Sequence, residues 1–217
     1  MMNTVKPATH NNRKTAALIL AAGEGSRMGG RPKCLIQINQ QPMILRQLQM
    51  LKASAIAQIT VVTGFHHEKI EAVIATDTSL HIIRNPAPEN GQQSSVRLGL
   101  ENLPDQPDLV LIALADQPLI DENDLQELLN AFDARPAETE ILYPVVGGQR
   151  GNPVLMSGAC VREFLKDTSG ITARQYIGLH ACSVYKYSTQ NDHFITDLDT
   201  EEDLTTLRNK TGLNIEI

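Results

Sequence analysis

Apolar residues in this chain gather into short blocks of strand length, separated by stretches in which they recur on one helical face. The blocks are 16–22, 58–63, 81–84, 109–115, 140–146 and 181–187. Between them, residues 43–53 set Ile44, Leu45, Leu48 and Leu51 on one side of a helix, and 67–75, 94–103 and 121–132 follow the same spacing. A strand wetted on one face alternates apolar and polar side chains. Residues 109–115 (LVLIALA) do not alternate, which predicts a strand covered by helices on both faces. The alternation of strands and helices implies an α/β fold built on a mostly parallel, doubly wound sheet. From 139 to 156 the pattern becomes a strand, a Gly147–Gly148 turn and a returning strand, expected as a small antiparallel addition. A helix over 199–208, acidic in its first turn, is predicted to close the chain.

Composition narrows the picture without changing it. The chain has 217 residues, 41% of them hydrophobic and 20% charged. That suits one sizeable domain, expected over 15–217, after a polar and aperiodic tail at 1–14. The net charge of −6 argues against a nucleic-acid surface, which would carry a basic excess. No apolar stretch approaches the roughly 20 residues that span a bilayer, and 1–14 lacks the apolar core of a secretory signal. The three cysteines, Cys34, Cys160 and Cys182, are far apart and form no C-x-x-C pair, as expected of a reduced, cytoplasmic chain. Neither nucleic acid nor membrane is an expected partner.

Charge becomes informative locally. The first apolar block runs into a loop holding Gly23, Gly25, Gly29 and Gly30 together with Arg27, Arg31, Pro32 and Lys33. Small residues let backbone N–H groups approach an anion, and the cations neutralise it, so the loop outlines a phosphate cradle. It is not a dinucleotide-binding G-x-G-x-x-G, because Met28 stands where the third glycine belongs. It is not a P-loop either, since Arg31 follows Gly30 where that motif needs lysine. What fits is a nucleoside triphosphate with Mg²⁺: Arg27 and Lys33 on the triphosphate, and Asp116, directly after the buried 109–115 block, on the metal. A second carboxylate is available in Asp197-Leu198-Asp199. Asp199 equally suits the N-cap of the last helix, and both roles stay open.

At this point the residues carry a resemblance. LAAGEGSRMGGRPK, then Asn85-Pro86, Gly91, Ser94-Ser95-Val96 and Gly99-Leu100, then LADQPLI, RGNPVL and DLDTEEDL, together resemble the MobA-like nucleotidyltransferase family, and within it the molybdenum cofactor cytidylyltransferases. The resemblance implies a Rossmann-like nucleotidyltransferase fold and transfer of CMP from CTP to a phosphorylated acceptor, molybdopterin or molybdenum cofactor, with release of pyrophosphate. It implies that Ala21, Ala22 and Gly23 line base and ribose, that Gly25 belongs to the nucleotide loop, and that Arg27 and Lys33 bind the triphosphate. It further implies Ser95 on the base side, Mg²⁺ on Asp116 and Asp199, and a transient contact with a molybdoenzyme. Guanylyltransferase relatives have L-A-G-G where this chain has Leu20-Ala21-Ala22-Gly23; the added methyl narrows the base pocket toward a pyrimidine. Arg150, Gly151 and Asn152 on the expected hairpin are candidates for the acceptor side, with a plain turn the alternative for Gly151. Arg174 is a further candidate for an acceptor phosphate. Two spacings depart from the cytidylyl pattern: the loop is one residue longer at Gly29-Gly30, and the glycine spacing before Arg174 differs. Guanylyl, sugar-phosphate or methylerythritol-phosphate transfer, and a non-catalytic cofactor-delivery protein, remain the rival readings.

Overall fold

All residues of β1 (Thr15–Ala21) after the first are buried, and successive side chains go to opposite sides of the sheet. Ala17, Ile19 and Ala21 join one core layer, whereas Leu18 and Leu20 join the other. The computed structural model describes residues 13–217 except 55 and 57; the expected tail lies outside the described residues apart from its last two positions. Of these, Arg13 lies over the Phe132 ring at 5.5 Å and Lys14 N donates to Asp108 Oδ2 at 2.8 Å.

After β1 come β2 (Gln37–Ile38), β3 (Gln41–Pro42), α1 (Met43–Ala53), β4 (Gln58–Thr63), α2 (His67–Ile74), β5 (Leu80–Arg84), α3 (Gln92–Glu101), β6 (Leu109–Leu114) and α4 (Glu122–Asp133). The remainder is β7 (Ile141–Val146), β8 (Gln149–Arg150), β9 (Val154–Ser157), α5 (Gly158–Lys166), α6 (Ala173–Leu179), β10 (Val184–Thr189), α7 (Glu201–Thr211) and β11 (Ile215–Glu216). The main sheet runs β10-β7-β9-β6-β1-β4-β5, with β8 paired to β7. Its pairings are parallel except at β8 and β9. The doubly wound expectation therefore holds: α1, α2 and α4 pack on one face, and α3, α5 and α6 on the other. The returning strand does not extend an edge. β9 inserts between β6 and β7, and its four residues are buried accordingly.

Three local expectations need correction. Residues 181–183 form a 3₁₀ turn and β10 starts only at Val184, so the predicted strand 181–187 begins late. Helices α5 and α6 were not foreseen. Their apolar faces (Cys160, Val161, Phe164; Tyr176, Ile177) are too short to stand out as a periodic run, yet each packs on the sheet. Thirdly, the last helix is capped by Thr200 rather than Asp199. Thr200 Oγ1 accepts from Asp203 N at 3.2 Å and the Asp203 carboxylate accepts from Thr200 N at 2.7 Å, a reciprocal box that satisfies two end groups.

A small second sheet, β11-β2-β3, was also invisible in the sequence. It covers a separate core made of Met28, Ile36, Ile38, Met43, Leu198 and Leu204, among others. Met28 belongs to the glycine loop and Leu198 to the Asp-Leu-Asp segment near the chain's end. Burying both in one core draws these two distant segments together.

Candidate active site

The glycine loop is shaped by its own backbone. Gly25 N-caps a 3₁₀ turn at Ser26–Met28 with φ +70°, and its carbonyl accepts from Met28 N and Gly30 N at 2.8 and 3.0 Å. A Cβ on Gly25 would overlap the Arg31 carbonyl. Only glycine combines that left-handed φ with so close a backbone approach. A second 3₁₀ turn, Lys33–Leu35, then turns the chain back over β1 and delivers Lys33 to the cleft.

Lys33 is the hub. Its Nζ donates to Asp199 in a short contact and lies 3.5 Å from Asp116 Oδ2. Arg27 Nη1 reaches the other oxygen of Asp199 at 3.5 Å. The Asp116 carbonyl accepts from Leu198 N at 3.0 Å, which stitches the end of β6 to the Asp197–Asp199 segment. With Leu198 turned fully into the small core, the aspartates on either side of it face the cleft with Asp116. Burial pushes the Asp116 carboxyl up, Lys33 pulls it back and Asp199 raises it further. Asp197 is pushed up to about 6 by burial and by the charges of Asp116 and Asp199.

These carboxylates fit a divalent cation. One buried oxygen on Asp116 and one on Asp197 lack a hydrogen-bond partner. Unpaired carboxylate oxygen in a buried site is the donor type that hard cations take. Among the described residues, no group of three or more His, Cys, Asp or Glu side chains is arranged to hold a metal. Asp116 and Asp199 could supply two carboxylates, the number that magnesium takes when phosphate oxygens and water complete its shell.

Three cavities adjoin over the carboxyl ends of β1 and β6, the place where parallel sheets bind ligands. One, of about 300 Å³, is bounded by the glycine loop, Lys33, Asp116 and Asp199, and takes in Ala21. A second, of about 420 Å³, runs from Phe65 and Ser95 past Ala22 and Gly23 to the aspartates. The third, of about 390 Å³, holds Arg150, Gly151, Asn152 and Arg174 above an apolar floor that includes Val96, Ile112 and Met156. Leu20, on β1, borders all three.

Every candidate nucleotide, acceptor and metal residue thus lines one of these cavities, whereas Gly29, Gly30 and Arg31 of the loop do not. Ser95 is 2% exposed at the base of the second cavity; its Oγ accepts from Asn85 Nδ2 at 2.9 Å, leaving its own proton to donate. Gly151 is buried, donating its N–H to Pro144 O at 2.8 Å, and Phe194 packs so close that a Cβ would sit 2.5 Å from its carbonyl. Arg150 stacks over Tyr143 at 4.4 Å. Desolvation in the cleft and the like charge of Arg174 draw the Arg150 pKa down, with Tyr143 acting the other way. Neither arginine has an acidic partner among the described residues. Cys34, beside Lys33, is an ordinary buried thiol whose pKa burial raises to about 12.

Sequence reasoning missed two neighbours of the site. His66, which belongs to none of the motifs named above, donates from Nε2 to the Glu24 carbonyl of the glycine loop at 2.7 Å. Phe65 lines the second cavity while 41% exposed. Both sit in the turn after β4, and the only advance signal was that β4 is parallel to β1 and so ends beside it.

An α/β sheet with a glycine loop, a lysine and paired aspartates at its carboxyl edge defines a nucleotide-handling class of protein. The comparison with known proteins is more specific. Residues 17–182 match the MobA-like NTP transferase domain, and the chain belongs to that family. It is 34% identical over 135 residues to the bifunctional protein GlmU of Mycobacterium leprae, covering 59% of this chain and 27% of that one. It is also 34% identical over 131 residues to the 2-C-methyl-D-erythritol 4-phosphate cytidylyltransferase of Streptomyces avermitilis, covering 57% and 52%. The matched region is therefore only part of either relative. A solved structure from Mycobacterium tuberculosis superposes with TM-score 0.74 at 19% identity over 91% of this chain and 98% of that one. The same protein is known in complex with manganese, with TM-score 0.66 at 19% identity over 90% and 97%. The fold is that of the Rossmann-like nucleotidyltransferases. Among the described residues, no helix is long and apolar enough to cross a membrane.

Proposed function

We propose that this chain transfers CMP from CTP to a phosphorylated acceptor of the molybdopterin type, releasing pyrophosphate, in a Mg²⁺-dependent cytoplasmic reaction. The observation that carries the proposal is Lys33 held against Asp116 and Asp199 beneath the glycine loop. A pure binding protein needs no such pair of aspartates with unpaired buried oxygen beside it.

In this reading Ala21, Ala22 and Gly23 line base and ribose with Ser95 on the base side, Gly25 shapes the nucleotide loop, and Arg27 and Lys33 take the β- and γ-phosphates. Asp116 and Asp199 would hold Mg²⁺, which when bound neutralises triphosphate charge and polarises the α-phosphoryl group. Arg150 and Arg174 hold the acceptor phosphate in the third cavity. One of its oxygens attacks the α-phosphorus, the α–β phosphoanhydride bond breaks, and pyrophosphate leaves with its charge matched by Lys33 and Arg27. A phosphate monoester has a second pKa of about 6 and is mostly dianionic at pH 7, so no general base is required. Catalysis is positioning and charge neutralisation.

The acceptor cavity combines an apolar floor at Val96, Ile112 and Met156 with polar groups at Gln92, Asn152 and Thr172, a lining that suits a flat heterocyclic body with hydrogen-bonding edges. The second reading, a methylerythritol-type or sugar-phosphate acceptor, draws on the sequence likeness to relatives of those names. Pyrophosphate release should be assayed with CTP and GTP, with and without Mg²⁺, across molybdopterin, methylerythritol phosphate and sugar phosphates. Turnover with CTP and molybdopterin is expected; turnover with another acceptor alone would replace the first reading by the second. Product made this way would be handed to a molybdoenzyme by transient contact.

A further inference from the structure

We infer that Phe65 is the stacking platform for the nucleobase, a role that rests on the proposed binding of a nucleoside triphosphate in the second cavity. The ring is 41% exposed, one of three large hydrophobic side chains left open among the described residues, and it opens into the cavity that ends at Asp116 and Asp199. Ser95 and Pro88 line the same cavity, which gives a base there the ring to lie against and a hydroxyl to meet its edge. Flat heterocycles favour this arrangement, because aromatic faces exclude water from both surfaces while leaving base edges free for hydrogen bonds.

The turn that presents Phe65 is held from several directions. Thr63, before it, is fully buried, and its carbonyl accepts from Asn85 N at 2.9 Å. Gly64 lies so close to Ala22 and Pro88 that a Cβ would come within 2.8 and 2.9 Å of them. The Gly64 carbonyl accepts from His67 N at 3.1 Å and from His67 Nδ1 at 2.9 Å. On the far side His66 is tied to Glu24 O of the glycine loop. The phenyl ring is thus carried on a pre-ordered backbone that also braces the phosphate loop, and little freedom remains to be lost when a ligand binds.

Every base has a π-face, so stacking supplies affinity without choosing among bases. Phe65 therefore serves CTP and GTP alike, and base choice falls to the Ala22 and Ser95 side of the cavity. The chain contains no tryptophan, so Phe65→Trp installs a single fluorescent reporter at the inferred contact. CTP titrated into this variant with Mg²⁺ should quench its emission, and a Leu179→Trp control on an exposed helix end should not respond. Calorimetry of Phe65→Ala should show CTP and GTP weakened by a common factor of about 10- to 100-fold, as expected for loss of one base–aromatic stack. Unchanged CTP affinity in Phe65→Ala, or no quench in Phe65→Trp, overturns the inference while leaving the nucleotide reading intact. Failure of the unmodified protein to bind any nucleoside triphosphate overturns both, and that titration alone tells the two failures apart.

Discussion

At the glycine-loop end of the cleft, Lys33 sits between Asp116 and Asp199, and Arg27 reaches the same Asp199. At the other end, Arg150 and Arg174 crowd one another with no carboxylate between them among the described residues. The first region is wired internally: each cation has an anionic partner, and two buried carboxylate oxygens remain unpaired. The second carries surplus positive charge over an apolar floor. On the proposed function, the contrast assigns the two ends to different ligands. A polyphosphate bringing its own divalent cation can exchange with the internal ion pairs, whereas the arginine pair can be neutralised only by an anion from outside.

Removing the hub should break the first region alone. Lys33→Ala is expected to lower kcat by about 10³-fold, the scale of losing a preorganised charge on the reacting phosphates, with circular dichroism unchanged. Rates within tenfold of the parent would remove Lys33 from the mechanism. The second region should fail separately. Replacing Arg150 and Arg174 together by alanine is expected to raise the acceptor KM by about 100-fold, while the KM for CTP stays put. A parallel rise in both constants would mean that the two ends are not distinct sites.

A smaller change tests whether the wiring depends on loop shape. Gly25→Ala adds a Cβ against the Arg31 carbonyl at a left-handed φ, and is expected to destabilise the fold by about 1–3 kcal/mol. Thermal unfolding would register this as a Tm lower by several degrees. An unchanged Tm would show the loop free to adopt another conformation.

The smallest effect concerns pH. Asp197 has a folded pKa raised to about 6 by burial and by Asp116 and Asp199, against about 3.9 in an unfolded chain. The folded state therefore holds this proton longer. Its contribution is fully favourable below about pH 4, is lost as pH rises through 6, and is absent above. In chelator-treated protein, stability should decline across that window, and Asp197→Asn should flatten the decline. An identical pH profile in the variant would locate the titrating group elsewhere.

Much of this was written in local pattern. The uninterrupted apolar run ending at Asp116 announced a central strand, and its carboxyl end is where a ligand should sit. The loop glycines announced backbone that an anion can approach. Asp199 was ambiguous because local sequence offers Asp and Thr equally as helix caps; the reciprocal contacts of Thr200 and Asp203 decided the cap, and Asp199 went to Lys33 instead. His66 and Phe65 carried no signal of their own beyond their place after β4, since a turn after a strand looks alike whether it borders a site or solvent.

By itself, then, the sequence determined the alternation of the main-sheet strands with helices α1 to α4, the glycine-rich and cationic character of the loop, and the two-sided burial of β6. These follow from periodicity and backbone freedom, which neighbours along the chain set. Only the tertiary structure decided which charges meet. Lys33 and Asp199 stand 166 positions apart, and they converge because Met28 and Leu198 are buried in one small core beneath a sheet closed by the C-terminal strand. The insertion of β9 between β6 and β7 likewise brings Asn152, just before it, to the cleft beside Arg174. Such convergence depends on contacts between distant segments, for which hydrophobic spacing along the chain carries no record.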